Sequence, residues 1–158
     1  MNSFPSGIRL FAKTRDHVQE TWERIKNFDI LFTDDARWDE EQFFSRIFSE
    51  DTLVLENEHL LVLVTDIHQN FYASCHIVSF DHKLSAHTPL FRDCLRWVMD
   101  YYNLQRFEAL IPERSKALAH FLRENMGFKL EGILRKRVIY KGMFENILIF
   151  AVLREEVL

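Results

Sequence analysis

The apolar positions change period several times along this chain of 158 residues, and the changes divide it into elements. Ile8 to Phe11 suit a short first strand. Thr14 then offers a helix cap, and Val18, Trp22 and Ile25 return at helical spacing. The segment FDILFTDDARW breaks that period before Asp39, a second candidate cap, introduces a helix whose inner face is Phe43, Phe44, Ile47 and Phe48. Three β-rich runs beginning at Thr52, His59 and Asn70, separated by short polar turns, predict an antiparallel meander. After the polar loop DHKLSAHT, the spacing of Leu90, Cys94, Leu95, Trp97, Val98, Tyr101 and Tyr102 predicts a helix, with Pro89 tolerated in its first turn. FEALI is a further strand. Ser115 is the expected cap of a helix carrying Leu118, Phe121, Leu122 and Met126 on one side, and two strands, residues 129–140 and 144–153, close the chain.

Three of the four glycines lie in the last third, where the pattern changes character. Gly127 is placed to end a helix with Phe128 packing back on its last turn, Gly132 to bulge a strand, and Gly142 to form a hairpin turn with Lys141. No glycine occurs from Ile8 to Met126, which excludes a GxxxxGK[ST] phosphate loop, a GxGxxG dinucleotide turn and a GxSxG nucleophile elbow over that stretch.

Composition narrows the class. A 47% hydrophobic content with fifteen Phe supplies one packed core, and the absence of repeats or Pro/Gly/Ser linkers predicts one domain over residues 1–158. The longest apolar runs fall far short of the roughly 20 residues that span a bilayer, and the N-terminus lacks a basic region followed by an apolar one. A soluble cytoplasmic protein without a membrane partner is expected. Cys75 and Cys94 belong to no CxxC or CxxH group and read as buried reduced thiols. His17, His59, His68 and His120 lack metal-ligand spacing and read as surface or packing residues, so no metal is expected.

A net charge of −4 argues against a nucleic-acid partner. Its distribution is uneven: residues 1–60 hold 13 acids and 7 bases, residues 101–158 hold 10 bases and 7 acids. One end suits a cation and the other an anion, or both are simply solvated faces.

The predicted order is strand, two helices, three strands, helix, strand, helix, two strands. Within it stand Ala119 and Leu122, then Met126-Gly127-Phe128, then Leu130-Glu131-Gly132-Ile133-Leu134-Arg135, then Lys141-Gly142 and the closing Leu153-Arg154-Glu155-Glu156. This order and these residues resemble the GNAT superfamily of acetyl-CoA-dependent N-acetyltransferases. The wording is similar to the branch that includes ribosomal-protein N-acetyltransferases and to small GNAT-like proteins encoded by bacteriophages. The resemblance implies an α+β fold, a mixed sheet of about seven strands flanked by four helices. It also implies acetyl-CoA as cosubstrate, an amine acceptor, and a monomer or homodimer.

In that family the fourth and fifth strands part at one end, and the pantetheine arm lies in the gap. Carried onto this chain, the resemblance places Ile77, Val78 and Phe80 along the arm, and Lys83, His87, Thr88, Leu90, Lys116 and Arg123 toward the cofactor. The usual R/Q-x-x-G-x-G/A segment would fall near residues 86–91, where Pro89 has no N–H to donate and Phe91 brings bulk. Lys83, His82 and His87 could compensate with side-chain charge, and Thr88 with its hydroxyl. Lys116 stands where many relatives have Asn, and Arg123 where many have Tyr. His76 is the expected base, because an imidazole titrates near neutrality and its strand borders the expected gap. Glu113 and Ser115 are further catalytic candidates. Cys75 points to the opposite face from His76, which argues against a Cys–His pair. Asp34 and Asp35 with Phe32 lie in the connection between the first two helices and suit a protonated amine beside an apolar wall. The competing readings are a non-catalytic module of the same fold, such as a virion component, and a CoA-binding regulator.

Overall fold

Two side-chain caps set the first pair of helices. In a computed structural model, which describes residues 3–28 and 39–157, the Thr14 hydroxyl accepts from the His17 N–H at 3.4 Å and opens α1 (Arg15–Ile25) shortly after β1 (Arg9–Leu10). Asp39 opens α2 (Glu40–Phe48) through a reciprocal box. Its carboxylate accepts from the Gln42 N–H at 2.8 Å, and the Gln42 side chain accepts from the Asp39 N–H at 3.3 Å. Val18, Trp22, Ile25, Phe43 and Ile47 are buried, as their spacing predicts. Phe48 departs from its predicted inward position and is 45% exposed, because α2 ends there and the chain runs extended from Ser49.

β2 (Leu53–Glu56), β3 (Leu60–His68) and β4 (Tyr72–Ser79) form the predicted meander. A short 3₁₀ turn, Leu84–His87, leads into α3 (Thr88–Tyr101), with Pro89 in its first turn. Then come β5 (Arg106–Pro112), α4 (Lys116–His120), β6 (Lys129–Tyr140) and β7 (Met143–Leu153). The sheet order is β1-β2-β3-β4-β5-β7-β6, with β4 and β5 parallel and the other pairs antiparallel.

Side-chain alternation gives the sheet two packed faces. On one, Phe91, Leu95, Val98, Phe121 and Leu122 of the later helices cover Val62, Val64, Cys75, Phe107 and Phe150. On the other, α1 and α2 cover Val54, Leu61, Leu63 and Val78. Burying each such aliphatic or aromatic side chain contributes about 1.5–3 kcal/mol.

The C-terminal glycines act as predicted. Gly127 takes φ +75°, after which the Phe128 N–H returns to the Leu122 carbonyl at 2.9 Å. Lys141 and Gly142, at φ +49° and +76°, make the tight turn from β6 to β7. The ladder between those strands shifts register at Gly132. A second shift, between Leu134 and Val138, was not foreseen: Lys136 sits at φ +51° and gives its N–H to Asn146 Oδ1 at 2.9 Å. Two further details differ from expectation. Ser115 precedes α4, but its side chain makes no capping bond. The helix also does not continue evenly to Gly127; it widens into a π-helical turn over Phe121–Asn125.

Candidate functional site

β4 and β5 part company. Their parallel pairing joins Tyr72 to Arg106, Ala73 to Phe107 and Ser74 to Glu108, then stops. Farther along, β4 stays with β3 as far as Ser79 and β5 stays with β7 through Pro112. The facing edges of residues 75–79 and 109–112 therefore diverge, and among the described residues no strand pairs with either edge there. Backbone polar groups on such edges favour an extended ligand that can complete the ladder.

A cavity of about 630 Å³ occupies the gap. β4 contributes His76, Ile77 and Val78, β5 contributes Leu110 and Pro112, the following loop contributes His82 and Lys83, and the opposite wall brings Ser115, Leu118 and His120. Its lining is largely apolar with a few polar groups, as small-molecule sites usually are. Neither Pro89 nor Phe91 fills it. Pro89 is exposed, whereas Phe91 is buried in the core edge-on to Phe121, with ring centroids 5.2 Å apart.

His76 keeps solvent contact at the open side of the cavity, yet protein surrounds the ring closely enough to lower its pKa. Desolvation is the main cause, the Arg46 charge adds to it and the Asp66 charge opposes it. The imidazole is therefore neutral at pH 7 and able to accept a proton. Cys75 alternates to the other face among the buried core residues. Desolvation, with Glu108 nearby, pushes its thiol up to about 12, which makes it a poor nucleophile.

The loop after β4 is built around a carboxylate. Asp81 accepts from the Ser79 hydroxyl at 2.8 Å, the Lys83 N–H at 3.0 Å and His87 Nε2 at 2.8 Å. Partial desolvation alone would raise this carboxyl, but the bonds from His87, Ser79 and Lys83 outweigh it and hold the group well below the usual carboxylate range. His59, from the turn between β2 and β3, stacks on His87 at 5.7 Å. His82, inside the turn, adopts φ +57°.

Of the residues singled out from sequence, the structure gathers His76, Ile77, Val78, Lys83 and Ser115 around the cavity. His82 joins them, and Cys75 also borders the cavity, whereas the remaining candidates stand outside its lining. His87 is bound to Asp81, and the Thr88 hydroxyl donates to the Ser85 carbonyl at 2.8 Å. Leu90 packs against the larger core. Phe80 lies beneath the Arg24 guanidinium, 3.6 Å from its ring centre. Glu113 accepts from Asn146 Nδ2 at 3.1 Å, and Arg123 pairs with its neighbour Glu124 at 2.7 Å. Lys116 is exposed at the start of α4. Phe32, Asp34 and Asp35 lie outside the described residues. Asp81, which the sequence reading did not single out, organises the loop, and His120, read from the sequence as a surface or packing residue, lines the cavity one helical turn from Ala117 on α4. The spacing of Ala117 and His120 was the available signal, but it acquires meaning only once the position of β4 is known.

No family model matches this chain, and no curated protein does. Solved structures do match over nearly its whole length. The spermidine N-acetyltransferase of Vibrio cholerae in complex with CoA and spermine superposes with a TM-score of 0.72 at 18% identity, covering 96% of this chain and 98% of that one. A single-site variant of the same enzyme gives 0.75 at 20% identity, covering 97% of each chain. An acetyltransferase of the GNAT family from Streptococcus pneumoniae gives 0.68 at 16% identity, covering 92% and 98%. The chain has the GNAT fold: among the described residues, a seven-stranded mixed sheet flanked by four helices, with the strand order and parting strands described above. Among the described residues, no cluster of three His, Cys, Asp or Glu could hold a metal ion, and no helix is long and apolar enough to cross a membrane.

Proposed function

We propose that this protein transfers an acetyl group from acetyl-CoA to a primary amine on a small molecule, a peptide or a protein N-terminus. The observation that carries this reading is the divergence of β4 from β5 after Ser74, with the cavity that opens there. An extended pantetheine arm fits the free edge of β4 at Ile77 and Val78, and Lys83 stands where the strand ends and the phosphates would lie. When bound, the thioester supplies an acyl group already activated toward amines. The chain's own contribution is then mostly positioning. β4 backbone N–H groups on the open edge are suited to hold the acyl oxygen, and neutral His76 to take the proton that the ammonium must lose. Attack by the amine is direct, because the Cys75 thiol, although it borders the cavity, is buried and stays protonated. The finer likeness to ribosomal-protein acetyltransferases rests on the C-terminal residues alone, so the acceptor remains a class: primary amines.

Calorimetric titration with acetyl-CoA, followed by turnover on an amine panel, tests the proposal. The panel includes spermidine and spermine, because the Vibrio protein is a spermidine N-acetyltransferase. Binding together with turnover is the expected result. The CoA-binding regulator stands as the second reading, favoured by the glycine-free loop whose helix has Pro89 in its first turn. Binding without turnover on any amine would favour that regulator, and no binding would reject both.

A further inference from the structure

The second register shift between β6 and β7 builds a basic surface that the proposed reaction leaves unused. Leu134 pairs with Ile147 and Val138 with Glu145, so Arg135, Lys136 and Arg137 stand opposite the single residue Asn146 and bulge out of the ladder. Asn146 holds the bulge in place. Its Oδ1 accepts from the Lys136 N–H at 2.9 Å, its Nδ2 donates to Glu113 at 3.1 Å, and its carbonyl accepts from the Glu113 N–H at 3.0 Å. Glu113 directly follows Pro112, which lines the cavity, so the bulge is fastened to the end of β5 that borders the site. All three cations are exposed, and among the described residues none of them pairs with a carboxylate. The Lys136 ammonium lies 5.8 Å from the centre of the Phe144 ring. Neighbouring acids are engaged elsewhere: Glu145 accepts from the Arg114 N–H at 2.8 Å and pairs with its guanidinium, and Glu113 holds Asn146. Lys136 also takes φ +51°, a conformation costly for a residue with a side chain. Ile133 beside the bulge, and Met143 and Phe144 toward the hairpin turn, are exposed apolar residues.

We propose that this bulge docks the acidic stretch of a peptide acceptor, so that the amine presented to the cavity belongs to a peptide or protein N-terminus followed by Asp and Glu, and not to a polyamine. The inference rests on the acetyltransferase reading and narrows its acceptor class. Side-chain cations unmatched by protein carboxylates attract an anionic chain, and the Arg fork suits carboxylates in particular. A chain leaving the cavity past Pro112 meets them, and Ile133, Met143 and Phe144 offer apolar contact to the side chains between its acids. A polyamine meets like charge at the same place. Charges and bulges also keep edge strands from pairing with other chains, and that role alone predicts no preference among acceptors. A nucleic acid is less well matched, because such surfaces spread Lys and Arg along a stripe, whereas this chain carries a net charge of −4 and a compact basic bulge.

The test uses two peptides of equal length with the same N-terminal residues, one continuing in Asp and Glu and the other in Asn and Gln, with spermidine as the cationic acceptor and acetyl-CoA saturating. kcat/KM should be roughly tenfold higher for the acidic peptide, because exposed ion pairs are individually weak and several act together. The gain should appear in KM, with kcat equal, and should shrink between about 50 mM and about 500 mM salt as the charges are screened. Arg135→Gln, Lys136→Gly and Arg137→Gln combined should make the enzyme treat the two peptides alike, whereas Arg135→Lys with Arg137→Lys should keep most of the preference. Glycine accepts φ +51° without strain, so a retained melting temperature separates the docking role of the bulge from a structural one. Equal kcat/KM for the two peptides, spermidine as the better acceptor, or a preference that survives in the triple variant overturns this inference and leaves the acetyl-transfer reading standing. Inhibition of peptide turnover by a short single-stranded oligonucleotide, with no preference between the peptides, would assign the bulge to nucleic acid and overturn it likewise. If no acceptor is turned over, both fall.

Discussion

A base works only while it can accept a proton, and the surroundings of His76 favour that state. Desolvation first, then the Arg46 charge, keep the imidazole neutral to below its ordinary pKa of 6.5. Replacement by Gln should lower kcat by about 10²-fold without changing the Kd for acetyl-CoA; unchanged turnover would remove His76 from the mechanism. In the unsubstituted protein the acid limb of the kcat/KM profile belongs below pH 6.5, and it should vanish in His76→Gln while the ionisation of the amine still shapes the alkaline side. The same shift affects stability. Because the unfolded chain takes up this proton before the folded one does, the folded state loses stability as pH falls below 6.5. Urea denaturation across that window should show a shallower loss for His76→Gln than for the unsubstituted protein.

The helices and strands owe their ends to backbone conformations that few residues tolerate. Gly127 at φ +75° has open space where a Cβ would stand, so Gly127→Ala should cost about 1–2 kcal/mol through the backbone alone. Lys136, at φ +51° in the β6 irregularity, should behave oppositely, with Lys136→Gly neutral or stabilising in the same urea experiment. These elements were legible in the chain because caps, turn glycines and apolar period are local signals: Thr14, Asp39, Gly127 and Lys141-Gly142 all act where the pattern places them. What escaped depends on distant partners. The register shift at Lys136 is satisfied by Asn146 from the next strand, the exposure of Phe48 depends on where α2 ends, and His120 joins the site only because α4 packs across the gap from β4.

The molecule holds together around a sheet that is nearly split. Three residue pairs link β4 to β5, whereas β5 is zipped to β7 along its whole length, from Arg106 with Leu153 to Pro112 with Ile147. Each half keeps its own strong pairings, so the gap opens without loosening either. Arg154 strengthens the closed end: its guanidinium donates to the carbonyls of Met99 and Leu104 at 2.8 and 3.0 Å and to Asp100 at 2.6 Å, binding the end of β7 to the end of α3. Arg154→Ala should cost about 2 kcal/mol in chemical denaturation and leave acetyl-CoA affinity unchanged, because the clamp lies away from the cavity. That explains why the closing LREE residues speak for the fold more than for the chemistry, while the divergence of β4 and β5 speaks for ligand binding. Amide hydrogen exchange with and without acetyl-CoA tests this divergence most directly. Slowed exchange concentrated in residues 75–83 and 109–112 is the predicted result, and unchanged exchange there at saturating acetyl-CoA would contradict it.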